Sequence, residues 1–250
     1  MAEILTRLTS FNPGELKVII FGDECILNEP IEKWPVCEAL ISFFSDGFPL
    51  AKAEAYVALV KPRFVVNDLS AQHLLLDRRR VYNTLLEHGI PVPRHCVMDR
   101  DNKVQTLAPT ATCDADFEET EEFVRVGTTR IEKPFVEKPV DAEDHNVCIY
   151  NGHTLGGGMK QLFRKVGNSA SQYVEPAEGE PYVRVRRDGS YMYEDFMSTG
   201  GTDVKVRRLR MIECTVCPQS QSTLTLDFTP RRSTLLAPPT RTQRPAKARS

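Results

Sequence analysis

The chain has 250 residues, 41% of which are hydrophobic, and its formal net charge is −2. It is long enough to bury a core as one large domain or two small ones. The first 206 residues are acidic, with 23 basic and 32 acidic residues, whereas residues 207–250 carry 9 basic and 2 acidic ones. An acidic body argues against general nucleic-acid binding, so a phosphate site must come from local clusters of cations.

The sequence indicates a protein of the cytosol. Residues 1–7 lack the basic region and apolar run of a signal peptide, and no stretch approaches the roughly 20 apolar residues of a membrane-spanning helix. Seven cysteines without regular spacing fit a reducing compartment. Cys214 and Cys217 have the spacing of half a zinc site, but no second pair follows, so no metal site is predicted there.

The first 69 residues are predicted to form a small α/β domain. Lys17–Phe21 is a short apolar run typical of a buried strand, and Val36–Phe43 has apolar residues at helical spacing. Leu50–Leu59 is predicted to be a second helix, and Arg63–Val66 a second strand. This alternation of strands and helices favours a small α/β layer.

A second region, residues 70–206, begins with a predicted helix. Ser70 or Asp77 can cap this helix, which runs to about His88 and ends at Gly89. Residues 99–120 are predicted to be a solvated loop. Strands are predicted at His95–Met98, Phe123–Val126, Phe135–Lys138, Val147–Tyr150, Tyr191–Asp195 and Asp203–Val206.

The last segment, residues 207–250, is predicted to be a disordered basic tail. It is rich in Ser, Thr, Pro and Arg and has little apolar periodicity, so it cannot bury much surface.

Short polar motifs interrupt the apolar segments between Glu137 and Lys205. They supply a strand lysine, a histidine, a glycine triplet and an Arg-Lys pair, which together suit the binding of polyphosphates. The motifs are Glu137-Lys138-Pro139, Glu143-Asp144-His145-Asn146, Gly156-Gly157-Gly158, Leu162-Phe163-Arg164-Lys165, Glu194-Asp195-Phe196-Met197 and Gly201-Thr202-Asp203-Val204-Lys205-Val206.

Each motif by itself also has an ordinary explanation. Lys138 could face solvent from a strand, and a loop histidine such as His145 is usually a surface residue. Arg78 could be a surface arginine paired with an acidic neighbour, which is the expectation for Arg79 and Arg80. The order and spacing of all six motifs favour a binding site over these separate explanations.

That order closely resembles the kinase domain of the diphosphoinositol pentakisphosphate kinases, which make inositol pyrophosphates on an ATP-grasp fold. The resemblance covers most of residues 1–206. It implies an α/β domain at residues 1–69, whose first strand is clipped, followed by an ATP-grasp core at residues 70–206. The upstream segments that share it are Ser45–Leu50, Lys52–Tyr56, Val66–Leu69 and Gln72–Arg79.

The resemblance also implies roles for individual residues. The inositol polyphosphate substrate is expected to contact Arg164, Lys165 and Lys205, of which Arg164 and Lys205 form the catalytic pair. The glycine triplet is expected to be a lid over the phosphates. The residues expected to bind ATP are Arg78, Lys138, His145, Arg164, Glu194, Asp195, Phe196, Met197, Asp203, Val204 and Lys205.

The resemblance stops at Val206, before the strands that carry the family's Mg²⁺ ligands. ATP and Mg²⁺ are therefore the implied cofactors, but no metal ligand is predicted in this sequence, and little turnover is expected of the chain as given. One interpretation is a partial product of an inositol hexakisphosphate and diphosphoinositol pentakisphosphate kinase gene. The alternative is a non-catalytic truncated module that binds ATP, inositol phosphates or another protein. Neither nucleic acid nor a membrane is an expected partner.

Overall fold

The computed structural model describes residues 2–11, 14, 16–42 and 47–200. Its mixture of helices and strands confirms the predicted α/β class. The chain divides into two compact units, Met1–Phe196 and Met197–Ser250, and every described helix and strand belongs to the first. The predicted strand Asp203–Val206 and the predicted tail lie outside the described residues. The domain boundaries after residues 69 and 206 stay predictions.

Within the described residues the helices are short, and none has the length and apolar character needed to cross a membrane. The predicted helix from Leu50 is confirmed, and it ends where Lys61 adopts a left-handed backbone (φ +52°) before Pro62. The α-helices are α1 (Ala2–Phe11), α2 (Gly22–Asn28), α3 (Leu50–Val60), α4 (Leu69–Leu75) and α5 (Arg78–Glu87).

The single helix predicted from Ser70 to His88 is in fact two, α4 and α5. Each begins after an aspartate whose carboxylate accepts a hydrogen bond from a backbone N–H of the first turn, Asp68 from Ala71 and Asp77 from Arg79. Asp77 is thus confirmed as a cap, whereas Ser70 lies inside α4. Two capping aspartates nine residues apart in the sequence mark two helix starts.

Two predictions for the N-terminal region are wrong. Within the described ranges residues 16–20 belong to no strand, and Val18, Ile19 and Ile20 are exposed, so the buried strand predicted there is not formed. The predicted helix Val36–Phe43 instead contains strand β1 (Ala39–Ile41), which pairs in parallel with β2 (Phe64–Val66). The apolar spacing fits either element, and pairing with β2 decides for a strand.

A seven-stranded sheet forms the centre of the first unit, in the order β11-β10-β9-β8-β12-β3-β4. Neighbours are antiparallel except for β3 and β4. The predictions for β3, β8, β9 and β12 are confirmed to within a residue, whereas β4, β10 and β11 were not predicted. The strands are β3 (His95–Met98), β4 (Thr110–Ala111), β8 (Phe135–Pro139), β9 (Val147–Tyr150), β10 (Met159–Val166), β11 (Ser169–Val174) and β12 (Tyr191–Asp195).

A second, three-stranded antiparallel sheet consists of β5 (Phe117–Glu119), β6 (Phe123–Val126) and β7 (Thr129–Glu132). The prediction for β6 is confirmed. The predicted loop at 99–120 is wrong in part, because β4 and β5 lie within it. Both are very short and carry polar residues, so their periodicity is too weak to read from the sequence.

The two faces of the seven-stranded sheet pack against different elements, since successive side chains of a strand point to opposite sides. On one face Cys96, Phe135 and Tyr193 pack against Val124 and Ile131 of the small sheet in the main core. On the other face Val97, Val140 and Met192 form a smaller cluster with Tyr82 of α5. Lys138 and Glu194 belong to this second face by their strand register.

Arg79, predicted to be a surface arginine, is buried with only 1% of its surface exposed. Its guanidinium forms ion pairs with Asp77 at 2.6 Å, Asp99 at 2.8 Å and Asp101 at 2.6 Å. Asp77 is the acidic neighbour that the sequence predicts. Asp99 and Asp101, which follow β3, lie about 20 residues away in the sequence, and no local pattern connects them with Arg79. The arginine thereby ties the start of α5 to the loop after β3.

Arg78 ties the same helix start to the loop after β8. Its guanidinium donates hydrogen bonds to the backbone carbonyls of Pro139 at 2.6 Å, Asp144 at 3.1 Å and Asp141. Its backbone N–H donates to the carbonyl of Val140 at 2.8 Å. A planar guanidinium can donate to several carbonyl groups in fixed directions at once, and a lysine ammonium cannot reproduce this contact.

Replacing Arg79 by methionine is expected to lower the free energy of unfolding by about 3–5 kcal/mol, because it leaves buried carboxylates without a cation. The measurement is urea denaturation followed by circular dichroism. Arg80→Met is the matched control, since Arg80 is exposed and should change stability by no more than about 0.5 kcal/mol. Equal effects of the two substitutions would contradict the structural role of Arg79.

The loss caused by Arg79→Met is also expected to depend on pH. Burial by itself would raise the pKa of Asp101, but hydrogen bonds, first that from Arg79, lower this pKa to about 2. A carboxyl with a lowered pKa stabilises the fold above its unfolded pKa of about 3.9, and this contribution disappears as the pH falls towards 2. The difference between the two proteins should therefore shrink over that window.

Arg78→Lys is expected to loosen residues 140–146 without unfolding the sheet. Lysine keeps the charge but loses the three-way contact, so we expect a loss of about 1.5–3 kcal/mol in local stability. Amide hydrogen exchange of this loop is the measurement, and Arg80→Lys is the control. Unchanged protection of the loop in Arg78→Lys would show that its carbonyls do not depend on this guanidinium.

Candidate functional site

A polar cluster lies on the α5-facing side of the main sheet and contains two of the predicted site residues, Lys138 and Glu194. The Lys138 ammonium lies 2.5 Å from Glu194 Oε1, and it donates a hydrogen bond to the Tyr82 hydroxyl at 3.3 Å. The Tyr82 hydroxyl in turn donates to Glu194 Oε2 at 2.5 Å. Glu194 is buried with 5% exposure, whereas about a quarter of the Lys138 side chain is exposed.

The register explains why these groups meet. Lys138 of β8 is paired with Met192 of β12, so Glu194 is its diagonal neighbour on the same face. Tyr82 approaches from α5, and its ring packs edge-on against His95 of β3 at 4.8 Å between centroids. Burial, followed by the charge of Glu194, raises the pKa of Tyr82 and so favours the neutral hydroxyl that donates to Glu194.

Arg78, the third predicted residue, connects this cluster with the next part of the site. Burial lowers the pKa of its guanidinium, while the carboxylates of Asp144 and Asp141 oppose that effect. Its hydrogen bonds go to backbone carbonyls between Pro139 and Asp144, so the described contacts of Arg78 hold the loop that leads to His145.

That loop lines an open cleft of about 430 Å³ together with the end of β10. His145 and Arg164, both predicted site residues, lie in its wall. The Arg164 side chain is 64% exposed, and its guanidinium forms an ion pair with Glu143 at 3.2 Å. The cleft is therefore lined by side chains of both charges. Its lining residues are Glu143, Asp144, His145, Asn146, Phe163, Arg164 and Val166.

Strand register places Lys138 and Lys160 on one face of the sheet, and the hydrogen bonds of Arg78 connect the Lys138 cluster with the loop that lines the cleft. Val136, Ile149 and Lys160 form one row across β8, β9 and β10. Because β8 and β10 run in the same direction, Lys138 and Leu162 follow this row on the same face. Arg164 lies within the irregularity between Leu162 and Val166, where the register no longer assigns a face. Lys160 shares this face and, like Tyr82, was missed in the sequence; alternation with Leu162 and Arg164 was its only signal.

The other predicted residues are distributed as follows. Lys165 is exposed but does not line the cleft, and Asp195 binds the Arg94 guanidinium through two hydrogen bonds of 3.0 and 2.9 Å. Phe196 and Met197, which follow β12, are 42% and 63% exposed, so neither is a core residue. Asp203, Val204 and Lys205 lie outside the described residues, and their roles stay predictions.

The glycine triplet has a packing reason in this structure. A Cβ on Gly157 would lie 2.3 Å from the carbonyl oxygen of Pro181, and one on Gly158 would lie 2.2 Å from the Tyr173 hydroxyl. Gly156 and Gly157 also have φ values of +88° and +64°, which favour glycine. These contacts account for the glycines without a ligand, and the lid role stays a prediction.

On the opposite face, Glu137 anchors the strand that carries Lys138. Its carboxylate is fully buried and accepts hydrogen bonds from Arg186 Nε at 2.6 Å and from the Tyr150 hydroxyl at 3.2 Å. Burial raises the pKa of Glu137, and the Arg186 charge opposes this rise. Arg186 also donates to the carbonyl of Asn146 at 2.8 Å, so the His145 loop is held from both faces of the sheet.

The described residues offer cations and hydrogen-bond donors for an anionic ligand. They contain no group of three or more His, Cys, Asp or Glu side chains arranged to hold a metal ion. Lys138 and Lys160 share one face of the sheet, His145 and Arg164 line the cleft, and the cations Lys138 and Arg164 are paired with carboxylates. This arrangement suits a ligand with several phosphate groups.

Comparison with known proteins gives the relationship of the chain. Residues 1–77 match the family model described as the diphosphoinositol pentakisphosphate kinase 2 N-terminal domain. Over 207 residues the chain is 53% identical to the inositol hexakisphosphate and diphosphoinositol-pentakisphosphate kinase VIP1 of Arabidopsis thaliana, a match that covers 82% of the chain and 18% of the relative.

Animal and fungal relatives give the same result. The chain is 48% identical over 206 residues to inositol hexakisphosphate and diphosphoinositol-pentakisphosphate kinase 2 of Homo sapiens, with 82% of the chain and 15% of the relative covered. It is 43% identical over 219 residues to the Saccharomyces cerevisiae kinase of the same description, with coverages of 82% and 18%. The chain thus spans less than a fifth of the length of these relatives. At this identity it belongs, as a partial-length sequence, to the inositol hexakisphosphate and diphosphoinositol-pentakisphosphate kinase family.

Proposed function

We propose that the chain carries part of the catalytic module of an inositol pyrophosphate kinase with an ATP-grasp core. The whole protein would transfer the γ-phosphoryl group of ATP to a phosphate of inositol hexakisphosphate or diphosphoinositol pentakisphosphate. The observation that carries this proposal is the identity of 42–53% to kinases of that description over 82% of the chain. Arg78 supports it, because its hydrogen bonds join the end of β8 beside Lys138 to the loop of His145, which lines the cleft together with Arg164.

In this proposal the nucleotide phosphates occupy the side of the sheet between Lys138 and the cleft. Lys138 and His145 bind phosphate oxygens, and Arg164 lies between the nucleotide and the inositol polyphosphate. Arg78 fixes the loop between them, in keeping with its hydrogen bonds to Pro139 and Asp144. The segment from Glu194 to Met197, which comprises the end of β12 and the two residues after it, reads the adenine, while Lys165 contacts the inositol polyphosphate.

The acceptor of the proposed reaction is itself an anionic phosphate, so no protein nucleophile is required. The site has to bring two highly charged molecules together and to neutralise their repulsion. Mg²⁺ supplies such neutralisation in phosphoryl transfer, but the described residues do not fit a metal ion. Within the described part of the chain, positioning and charge compensation therefore fall to Lys138, His145 and Arg164, with Lys205 proposed to join them.

We also propose that the protein acts in the cytosol on a small-molecule substrate and has neither a nucleic-acid nor a membrane partner. The acidic composition before residue 207 and the irregularly spaced cysteines support this.

Isothermal titration of the 250-residue chain with ATP and with inositol hexakisphosphate tests the proposal. Arg164→Ala is expected to weaken both ligands, whereas Lys165→Ala should mainly weaken the inositol phosphate. Each loss should be about 1–3 kcal/mol, the range for a hydrogen bond from a charged group.

The matched control is Arg184→Ala, because Arg184 is as exposed as Arg164 and also forms an ion pair, with Glu180 at 3.2 Å. It should change neither affinity. A wild-type chain that binds neither ligand would contradict the proposal, as would an Arg164→Ala variant with wild-type affinities.

A further inference from the structure

We propose that Tyr82 and the Glu194 carboxylate are positioning residues, which hold the Lys138 ammonium in place for a phosphate group. The inference rests on the proposed function for the identity of the ligand. The inference adds Tyr82, in the middle of α5, which belongs to none of the sequence motifs. It also gives the Glu194 side chain a role that is separate from adenine recognition.

The three groups form a closed triangle of contacts. Glu194 receives the Tyr82 hydroxyl on one carboxylate oxygen and the Lys138 ammonium on the other, each at 2.5 Å. The third side is the hydrogen bond of 3.3 Å from Lys138 to the Tyr82 oxygen. A carboxylate that is bound through both oxygens cannot rotate freely, and so it fixes the position of the ammonium.

The surroundings keep this triangle rigid. Tyr82 is fixed by its edge-on contact with His95 and by the apolar cluster of Val97, Val140 and Met192. Glu194 lies within β12, between strands β8 and β3 on either side. The flexible member is therefore the lysine, whose long side chain otherwise loses considerable rotamer freedom on binding a ligand.

The triangle leaves Lys138 able to bind an anion. An ammonium has three N–H donors, of which Glu194 and Tyr82 take two, and about a quarter of the side chain is exposed. A phosphate oxygen can accept the third hydrogen bond without displacing Glu194. Because the lysine is already ordered, the entropic cost of binding falls, which increases the affinity of the nucleotide.

The test compares ATP affinities of the 250-residue chain in a double-mutant cycle of Tyr82→Phe and Lys138→Ala. Tyr82→Phe is expected to weaken ATP binding roughly tenfold, as for the loss of one hydrogen bond to a charged group. In the Lys138→Ala background the same substitution should have no further effect, because the residue that it positions is gone. A merely structural role of the hydroxyl would weaken binding equally in both backgrounds, and that result would overturn the inference.

Tyr191→Phe is the matched control. It also removes a tyrosine hydroxyl that donates to a carboxylate, Asp188 at 2.5 Å, but it lies outside the triangle. Its ATP affinity should equal that of the wild type. Thermal unfolding of each variant verifies that the fold is retained.

A second measurement does not depend on nucleotide binding. The rate at which acetic anhydride acetylates Lys138, followed by mass spectrometry, should rise severalfold in Tyr82→Phe and stay unchanged in Tyr191→Phe. If the wild-type chain does not bind ATP, the proposed function fails while this rate still tests the positioning. An unchanged rate in Tyr82→Phe would overturn the positioning of Lys138 whatever the ligand is.

Discussion

The start of helix α5 is the point on which the arrangement of the site depends. Asp77, Arg78 and Arg79 are consecutive, and each makes a different connection: a helix cap, a clamp on the loop after β8, and a buried ion pair with the loop after β3. A buried arginine requires its carboxylates, because an uncompensated charge in the interior is costly. That requirement fixes α5 against the sheet and brings Tyr82, one turn further, over Lys138 and Glu194.

The alternation of side chains along its strands gives the main sheet one face that packs in the core and a second face that carries part of the proposed site. Its apolar face is covered by the three-stranded sheet, and the ion pair of the buried Glu137 with Arg186 lies on that side. The other face carries Lys138, Glu194 and Lys160. Two adjacent residues of β8, Glu137 and Lys138, therefore lie on opposite faces: the first anchors the strand, and the second belongs to the proposed site.

Pairing with carboxylates keeps the cations of the site in place before a ligand arrives. Lys138 is held by Glu194, and Arg164 by Glu143. The two pairs differ in burial: Glu194 is almost inaccessible, whereas Arg164 is mostly exposed and its ion pair is screened by water. An anionic ligand can therefore draw Arg164 away from Glu143 at little cost, while Lys138 would keep its partner. The β10 strand end is thus the adaptable side of the site, and the α5 side is the fixed one.

The sequence by itself determined the α/β class, the helix from Leu50, the cap at Asp77 and four of the strands of the main sheet. Strong local signals made this possible, namely apolar runs, a capping aspartate and β-branched residues. The ordered set of motifs also led to the family, because several short matches in a fixed order are far more specific than any one of them. The wrong predictions came from weak or ambiguous local patterns. The segment of β1 has apolar residues at helical spacing, and β4 and β5 are only two or three residues long.

Only the tertiary structure decided which polar residues act together. Arg79 and Arg78 are neighbours with the same chemistry, yet one is buried among three carboxylates and the other clamps backbone carbonyls. Tyr82 and Glu194 are 112 residues apart, and no local pattern connects them. Contacts of this kind depend on strand register and on the docking of a helix, which are set by the sum of many distant interactions. Propensity and periodicity describe only the neighbours of a residue along the chain, and so they determine its element but not its partners.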